Sequence, residues 1–233
     1  KALVKQCLSE GHTVHYLSTQ KSKIVSQTNY KGFYWNPQEN KIDIACFEGV
    51  EVILNLAGAS IAQRWSNAAK ASILSSRTDA LALLHSSVET HNFPVKHIIS
   101  ASAIGVYPDS KTRYYDEKFQ GADASFLRAV VKSWEGSLKP FQSIGVKTTA
   151  LRIGIVLNSQ EGALPKIMGP IKHYFGAALG SGDQWQSWIH IDDLVRLFMF
   201  VLELELEGVY NAVAPNPVQQ IELTKLIAKI LQR

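Results

Sequence analysis

Val50-Glu-Val-Ile-Leu-Asn-Leu56, which runs into Ala57-Gly58, is the stretch that decides the fold. Its apolar and β-branched residues predict a strand that is buried on both faces, and the small residues after it predict a turn. Residues 95–100 and 146–156 are two further apolar runs of this kind. Strands covered on both sides are typical of a parallel sheet that lies between layers of helices.

Helical segments alternate with these strands along the chain. Residues 66–91 are rich in Ala, Leu and Ser, with apolar residues along one helical side. Further helices are predicted at 1–10, 124–141, 164–175, 193–203 and 219–232, and further strands at 13–17, 33–35 and 209–213. This alternation predicts crossover connections, and therefore an α/β fold with a doubly wound parallel sheet.

Nothing in the sequence divides the chain into independent domains. No linker rich in Pro and Gly separates the predicted elements, so residues 1–233 are expected to form a single domain. Within it we expect a small C-terminal substrate lobe, built from the segments 158–192 and 209–233.

The composition excludes several classes of function. Lys and Arg number 24 against 20 Asp and Glu, and the lysines do not cluster, so no nucleic-acid partner is expected. No apolar run approaches the roughly 20 residues that span a bilayer, so no membrane partner is expected. Cys7 and Cys46 form neither a disulfide framework nor a metal-site pattern. They indicate a reducing compartment, and we expect a cytoplasmic protein without a metal site.

Small or polar residues stand at the predicted carboxyl ends of the strands, where open parallel sheets bind ligands. They would let a ligand approach the backbone closely, although turn residues end strands in any case. These ends are Leu17-Ser18-Thr19, Asn55-Leu56-Ala57-Gly58, Ser100-Ala101-Ser102, Ile155-Val156-Leu157 and Asn211-Ala212-Val213-Ala214-Pro215.

Six short motifs follow one another along the chain. They are Asn55-Leu-Ala-Gly58, Trp65 with Ser76-Arg77, Ser100-Ala-Ser-Ala-Ile-Gly-Val-Tyr107, Leu151-Arg-Ile-Gly-Ile-Val-Leu157, Trp188-Ile-His-Ile-Asp-Asp-Leu194 and Asn211-Ala-Val-Ala-Pro-Asn-Pro217. Together they closely resemble the atypical extended short-chain dehydrogenase/reductases, a group known as an epimerase family that includes a cell-division-inhibitor homologue. The resemblance covers nearly the whole chain and implies a Rossmann-type NAD(P)-binding domain.

The resemblance also bears on the first residues. Members of this family open with a strand, then Gly-Gly-x-Gly-x-x-Gly, then a helix, and the helix predicted from residue 1 looks like that helix. The glycine loop would hold a pyrophosphate at the helix N-terminus. An N-terminal strand with its glycine loop and a short C-terminal segment are therefore expected to be missing from this sequence.

The cofactor preference depends on the end of the second strand of such a fold. There an Asp or Glu would accept the ribose hydroxyls of NAD, but this sequence has Ser18-Thr19-Gln20-Lys21. A 2′-phosphate would instead meet the hydroxyls of Ser18 and Thr19 and the ammonium of Lys21 or Lys23. The residues therefore favour NADP over NAD, unless this segment is only a solvated lysine loop.

Arg77 is the second candidate for binding the cofactor. By resemblance it reaches the cofactor on its phosphate side, with Ser72 or Ser76 nearby, because a guanidinium fork suits phosphate oxygens. The alternative is an arginine on a helix surface. The resemblance implies further cofactor contacts at Leu56, Ala57, Gly58, Ser100 and Val156.

The usual catalytic pair of the superfamily is absent from its usual place. That pair is Tyr-x-x-x-Lys, in which the Lys lowers the pKa of the tyrosine. The positions that match it here are Leu127 and Val131, counted back from Glu135. Tyr114-Tyr-Asp-Glu-Lys118 fits the spacing but lies in a polar segment without an apolar helical face, so we predict that it is not catalytic.

Ser102 and Tyr107 remain as the candidate catalytic residues. By resemblance Ser102 matches the catalytic serine of the superfamily and would hydrogen-bond a substrate oxygen. Tyr107 could supply a proton, although no Lys is placed beside it. The alternative is that both residues only line the pocket.

Four more residues are expected to line the substrate pocket: Trp185, Trp188, His190 and Asn211. Tryptophans are more often packing residues, and the spacing at His190 fits a helix start that Asp192 or Asp193 would cap. Arg152, inside an apolar strand, needs a buried partner.

These residues lead to two hypotheses. The first is an NADP-dependent oxidoreductase, or an enzyme like the nucleoside-diphosphate-sugar epimerases, that acts on an unknown small molecule. The alternative is a non-catalytic NADP(H)-binding sensor or scaffold protein. The missing Tyr/Lys pair favours the alternative, whereas Ser102 and the tryptophans favour an enzyme.

Overall fold

The computed structural model describes residues 1–121, 124–178 and 180–233. Its helices are α1 (Ala2–Ser9), α2 (Asn67–His91), α3 (Phe126–Gly136), α4 (Lys139–Ser143), α5 (Ala163–Lys172), α6 (Ile191–Glu203) and α7 (Gln220–Ile230). Its strands are β1 (Val14–Ser18), β2 (Ser26–Gln27), β3 (Tyr30–Asn36), β4 (Lys41–Ile42), β5 (Val52–Asn55), β6 (His97–Ala103), β7 (Lys147–Ile153), β8 (Ile155–Leu157), β9 (Trp185–Gln186), β10 (Trp188–His190), β11 (Gly208–Ala212) and β12 (Val218–Gln219).

The main sheet is parallel and has the strand order β11-β7-β6-β5. Successive residues of its inner strands enter different cores. Ile98 and Ala150 pack with α2 and α3, whereas Ile99 and Leu151 pack with α1 and α6. Because helices cover both faces, these strands are apolar throughout. The predicted α/β fold with a doubly wound parallel sheet, of the Rossmann type, is confirmed.

A second, smaller sheet contains the first strands of the chain. β1 pairs with β3 in parallel register, from Val14 opposite Tyr30 to Ser18 opposite Tyr34. β2 and β4 add to β3 in antiparallel orientation. Within the described residues, neither β1 nor β5 pairs with a strand on its other edge.

A slot of about 730 Å³ lies between β1 and β5. Its walls are residues 14–17 of β1 and Val52–Asn55 of β5, with Leu3 and Cys7 of α1 on one side and Cys46 and Phe47 on the other. The slot therefore has a strand edge along each of two walls and apolar side chains above and below. The expectation of a further N-terminal strand stays a prediction.

Two predicted elements are interrupted. The strand predicted over 146–156 breaks at Gly154, because the strand changes partner there: β7 pairs with β11, and β8 pairs with β10. A Cβ at Gly154 would lie 2.6 Å from the carbonyl oxygen of Ser187, so only glycine fits this crossing. The helix predicted over 124–141 ends at Gly136, and α4 restarts with Pro140 in its first turn.

The C-terminal part of the chain adds a small layer to this core. β9 and β12 pair in antiparallel orientation, and α5 packs against α7. The second segment of the predicted substrate lobe begins with β11, which is a strand of the main sheet. The helices in the described ranges, α2 included, lack the combination of length and apolar character that a membrane span needs.

Candidate functional site

The carboxyl ends of β5 and β6 are joined by buried polar side chains. Asn55 and Ser100 lie opposite each other in the parallel register, and Asn55 Nδ2 donates to Ser100 Oγ at 3.0 Å. Ser100 Oγ in turn donates to the Ala101 carbonyl, and Ala57 N donates to Asn55 Oδ1 at 3.2 Å. The Ser100 side chain, which is fully buried, therefore holds Asn55, and Asn55 holds the turn that begins at Leu56.

Arg77 of α2 supports the same turn from the side. Its NH1 donates to the carbonyls of Ala59, at 3.1 Å, and Ile73, at 2.8 Å. Ala59 N also donates to Ser76 Oγ at 2.8 Å. A Cβ at Gly58 would lie 3.0 Å from Cζ of Arg77, so glycine lets the turn lie flat against the guanidinium. Burial lowers the pKa of Arg77, but the side chain keeps its charge at neutral pH.

The other face of Arg77 is covered by an aromatic ring. Cζ of Arg77 lies 4.8 Å from the ring centroid of Trp134. Nε and NH2 of Arg77 have no hydrogen-bond partner in the described ranges. Arg77 therefore has N–H groups that are free to bind a ligand, and the adjacent turn at Gly58 leaves space for one. This arrangement suits the phosphate group of a nucleotide. Ser72 lies half-buried on the same helix.

The end of β1 lies across the slot from this turn. Ser18 Oγ accepts from Gln20 N at 3.1 Å and donates to the Gln20 carbonyl at 3.0 Å. Thr19 and Lys21 are exposed, and Nζ of Lys21 lies 5.0 Å from the ring centroid of Tyr34. The two exposed residues give this edge a hydroxyl and a positive charge.

Ser102 of β6 belongs to a buried polar network that also includes residues of β7 and β11. Its hydroxyl donates to Glu135 Oε1 at 2.7 Å. Arg152 Nε and NH2 donate to the two oxygens of Glu135 at 2.8 and 2.9 Å. Arg152 NH1 donates to the Tyr107 hydroxyl at 2.9 Å, and that hydroxyl donates to Asn211 Oδ1 at 2.7 Å. The expected buried partner of Arg152 is thus Glu135, and the network joins three of the predicted site residues.

The matching positions for the usual catalytic pair are packed. Leu127 contacts the backbone turn at Gly105, where an added Cβ would lie 3.3 Å from Leu127 Cβ. Val131 is 3% exposed. Tyr114 and Lys118 lie outside any helix, and Tyr114 is 78% exposed. The non-helical setting predicted for Tyr114 and Lys118 is confirmed.

The indole N–H groups of the two tryptophans hydrogen-bond to backbone carbonyls of neighbouring loops. Trp185 Nε1 donates to the Lys111 carbonyl at 2.9 Å, and Trp188 Nε1 donates to the Asn216 carbonyl at 3.0 Å. Asn211 N donates to Glu117 Oε1 at 2.7 Å. The loop after β6 is therefore joined to β9 and β11, and the loop after β11 is joined to β10.

The start of α6 differs from the expectation that Asp192 or Asp193 caps it. His190 is the cap: its Nδ1 accepts from Asp192 N at 3.3 Å. Asp193 instead accepts from Arg196 at 2.8 Å. Both carboxylates lie in the first turn of α6, where their negative charge interacts favourably with the helix dipole. Val156, in the strand beside β10, pairs with Ile189 and is half-buried.

Arg152 and Glu135 are the site residues that the sequence did not assign to the site. The signal in the sequence was an arginine inside an apolar strand together with a glutamate on the preceding helix α3, but their proximity to Tyr107 depends on strand register. Residues 1–121, 124–178 and 180–233 contain no cluster of His, Cys, Asp and Glu that could hold a metal ion.

Comparisons with known proteins give consistent results. No family model matches the chain. An epimerase family protein of Staphylococcus saprophyticus is 34% identical over 210 residues, which cover 90% of this chain and 68% of that protein. A similar epimerase family protein of Staphylococcus aureus is 33% identical, and the chain spans 64% of its length.

Solved structures share the fold. The human epimerase family protein SDR39U1, solved with NADPH, superimposes with a TM-score of 0.81 and 25% identity, over 100% of this chain and 76% of that one. A nucleoside-diphosphate sugar epimerase from Corynebacterium glutamicum gives a TM-score of 0.72 and 25% identity, over 99% of this chain and 54% of that one.

Proposed function

The chain belongs to the epimerase family of atypical extended short-chain dehydrogenase/reductases, and on this premise we propose that it is an NADP(H)-dependent oxidoreductase or epimerase of a small molecule. One observation carries the proposal: Arg77 lies flat against Gly58 at the carboxyl edge of the sheet, with unused donors. A nucleotide phosphate is the ligand that such donors recognise best.

NADP(H) is the proposed form of the cofactor. The similar human protein was solved with NADPH. In this chain Thr19 and Lys21 are exposed at the end of β1, and they would bind a 2′-phosphate. The remaining contacts would come from Ser18, from the turn Leu56-Ala57-Gly58, and from Ser72 and Val156. When bound, NADP(H) would donate or accept a hydride.

The chain's own contribution to such a reaction is proton transfer. The Tyr107 hydroxyl is half-buried at the strand ends, and it is the group of the network that can exchange a proton with a substrate oxygen. Ser102 is 3% exposed and its hydrogen is donated to Glu135. Ser102 would thus act by fixing Glu135, or as an acceptor.

The substrate is proposed to be a small molecule with a hydroxyl or carbonyl group, such as a nucleoside-diphosphate sugar. Trp185, Trp188, His190 and Asn211 would surround it. Dispersed surface charge favours a small molecule over a nucleic acid or a membrane as partner. The two free, buried cysteines favour a reducing compartment, which we propose is the cytoplasm.

A non-catalytic NADP(H) sensor or scaffold is the second candidate. The observation in its favour is the packing of Leu127 and Val131 at the positions where the superfamily carries its catalytic Tyr and Lys. Both candidates bind the cofactor, and consumption of NADPH with a panel of small carbonyl compounds separates them.

Cofactor binding is tested by fluorescence titration of the full-length protein with NADPH and NADH. We expect tighter binding of NADPH, and about tenfold or more weakening of both cofactors in Arg77→Ala, because a charge-assisted contact is lost. Arg196→Ala, which removes an exposed arginine from α6, is the matched control and should bind like the parent. Tighter binding of NADH, or equal binding by the Arg77→Ala variant, would contradict the proposal.

A further inference from the structure

Arg152 lies at the centre of a row of polar residues that crosses three strands. Ser102 of β6 is its register partner on one side, and Asn211 of β11 is its register partner on the other. Register partners in a parallel sheet project to the same face. The row therefore brings Ser102, Arg152 and Asn211 together beneath Tyr107, which follows β6 after one 3-10 turn.

The donors of Arg152 are divided between two acceptors. Nε and NH2 form a bidentate pair with Glu135, which fixes the plane of the guanidinium. NH1 is left for the Tyr107 oxygen at 2.9 Å. The side chains of Arg152 and Glu135 are only 7% and 14% exposed, so water screens this arrangement weakly.

The arrangement of charged groups favours negative charge on the Tyr107 oxygen. The guanidinium touches the phenol oxygen directly, whereas the Glu135 carboxylate binds the guanidinium through its other two nitrogens. Ser102 also donates to Glu135 and offsets part of its charge. On the other side, rotation of the Asn211 amide would replace its acceptor by a second donor toward the same oxygen.

The other groups near the phenol are two aromatic rings, a carboxylate and a second arginine, Arg128, which donates to the Val106 carbonyl and lies beside the Phe119 ring. The Tyr107 ring stacks on Tyr115 at 5.8 Å, and Phe119 lies 6.2 Å from it. Glu117, in the loop that follows Tyr107, is the nearby carboxylate, and its Oε1 accepts a hydrogen bond from Asn211 N. Arg152 is thus the cation that the described structure places on the Tyr107 oxygen.

We propose that Arg152, oriented by Glu135, is the positioning cation of Tyr107 and replaces the lysine of the superfamily's Tyr-x-x-x-Lys pair. This inference rests on the proposed function, since it names how that site moves a proton. During oxidation of a substrate alcohol, the phenolate form of Tyr107 would accept the O–H proton, and NADP⁺, when bound, would be the acceptor of the C–H hydride. In reduction the Tyr107 hydroxyl returns the proton to the new alkoxide oxygen.

The experiment is an ultraviolet absorbance titration of the tyrosine side chains with pH, without cofactor or substrate. The titration of Tyr107→Phe, subtracted from that of the parent, isolates the ionisation of Tyr107. The same difference is measured in an Arg152→Met background. We expect the two differences to diverge, with less phenolate at Tyr107 at a given pH once the cation 2.9 Å from its oxygen is removed. Arg152→Lys, which keeps a cation, should restore part of the shift.

Two further variants keep the experiment decisive. Glu135→Gln combined with Arg152→Met removes both buried charges, so it tests the same shift if Arg152→Met alone does not fold, as judged by circular dichroism. Tyr114→Phe is the matched control, because this tyrosine is 78% exposed, whereas Arg152 donates to Tyr107. Ionisation of Tyr107 at the same pH in both backgrounds overturns the inference.

A second readout distinguishes this inference from the proposed function. If NADPH is oxidised with any carbonyl of the panel, Tyr107→Phe and Arg152→Met should each lower kcat by at least about a hundredfold, the size of a general-acid contribution. Tyr114→Phe should leave kcat unchanged. If Tyr107→Phe still oxidises NADPH at the parental rate, the inference is contradicted. If the parent oxidises NADPH with none of the carbonyl compounds, the proposed enzyme is contradicted, and the absorbance titration alone decides whether Arg152 acts on Tyr107.

Discussion

At the scale of single residues, the pKa of a buried titratable group depends on whether a hydrogen-bond partner favours its charged form. The hydrogen bonds from Arg152 to Glu135 raise the pKa of Arg152, because they favour its charged form. Cys46 lies in an apolar core, and burial there raises the pKa of its thiol to about 12. Burial also raises the pKa of the Cys7 thiol. Both thiols are therefore protonated at neutral pH.

The first residue-scale prediction concerns Cys46. Because its pKa is near 12 in the folded protein and lower in the unfolded chain, the unfolded state releases the proton first as pH rises. The free energy of unfolding should therefore fall between about pH 9 and pH 12. Urea unfolding across this range measures the slope, and Cys46→Ala should have a smaller one.

Thiol reagents give the matching kinetic result. At pH 8 the folded protein should react with a thiol reagent far more slowly than the urea-unfolded chain, because the thiolate is the reactive form. An equal rate in the two states would contradict the buried, protonated state of Cys46 and Cys7.

At the scale of elements, the start of α6 shows how a strand and a helix share one residue. His190 ends β10 and caps α6, so the strand runs into the helix without a loop. The sequence predicted a capped helix at this position, but it suggested the carboxylates Asp192 and Asp193. Such residues are the commoner caps, and only the backbone path from β10 puts the His190 ring over the first turn.

The cap can be tested by substitution. His190→Ala should lower the free energy of unfolding by about 1 kcal/mol, because Asp192 N loses its acceptor, and His190→Asn should restore most of it. Asp193→Ala, which loses a surface pair with Arg196, should cost only about 0.3–0.5 kcal/mol. Urea unfolding measures both. A larger loss for Asp193→Ala than for His190→Ala would make the carboxylate the effective cap.

At the scale of the whole molecule, the sheet is divided into two parts that share no strand pairing in the described chain. β6 and β7 are hydrogen-bonded on both sides and buried on both faces. Within the described ranges, β1 pairs with β3 along one edge and borders the slot along the other. The two parts should therefore differ in local stability.

Hydrogen exchange tests this difference. Amides of β6 and β7 should exchange slowest, with protection close to that of global unfolding, whereas those of β1 and β3 should exchange markedly faster. β11, the edge strand of the main sheet, is the internal control for an edge that packs on a complete sheet. Equal protection of β1 and β6 would show that the two parts unfold together.

The sequence was sufficient for the architecture and insufficient for the geometry of the site. Apolar runs such as residues 50–56 and 95–100 predict parallel strands because burial on both faces leaves a continuous pattern. The break at Gly154 was not visible, since a strand that changes partner keeps the same apolar character. The contact of Arg152 with Tyr107 was also not visible, because it depends on the register of β6, β7 and β11 and on the position of α3.

The slot between β1 and β5 has a consequence for the cooperativity of the sheet. Within the described ranges, each of these strands borders the slot with an edge whose backbone groups have no partner strand, and such edges can accept a further strand. A strand that paired with both edges would join the two parts of the sheet into one cooperative unit, and the amides of β1 would then exchange nearly as slowly as those of β6.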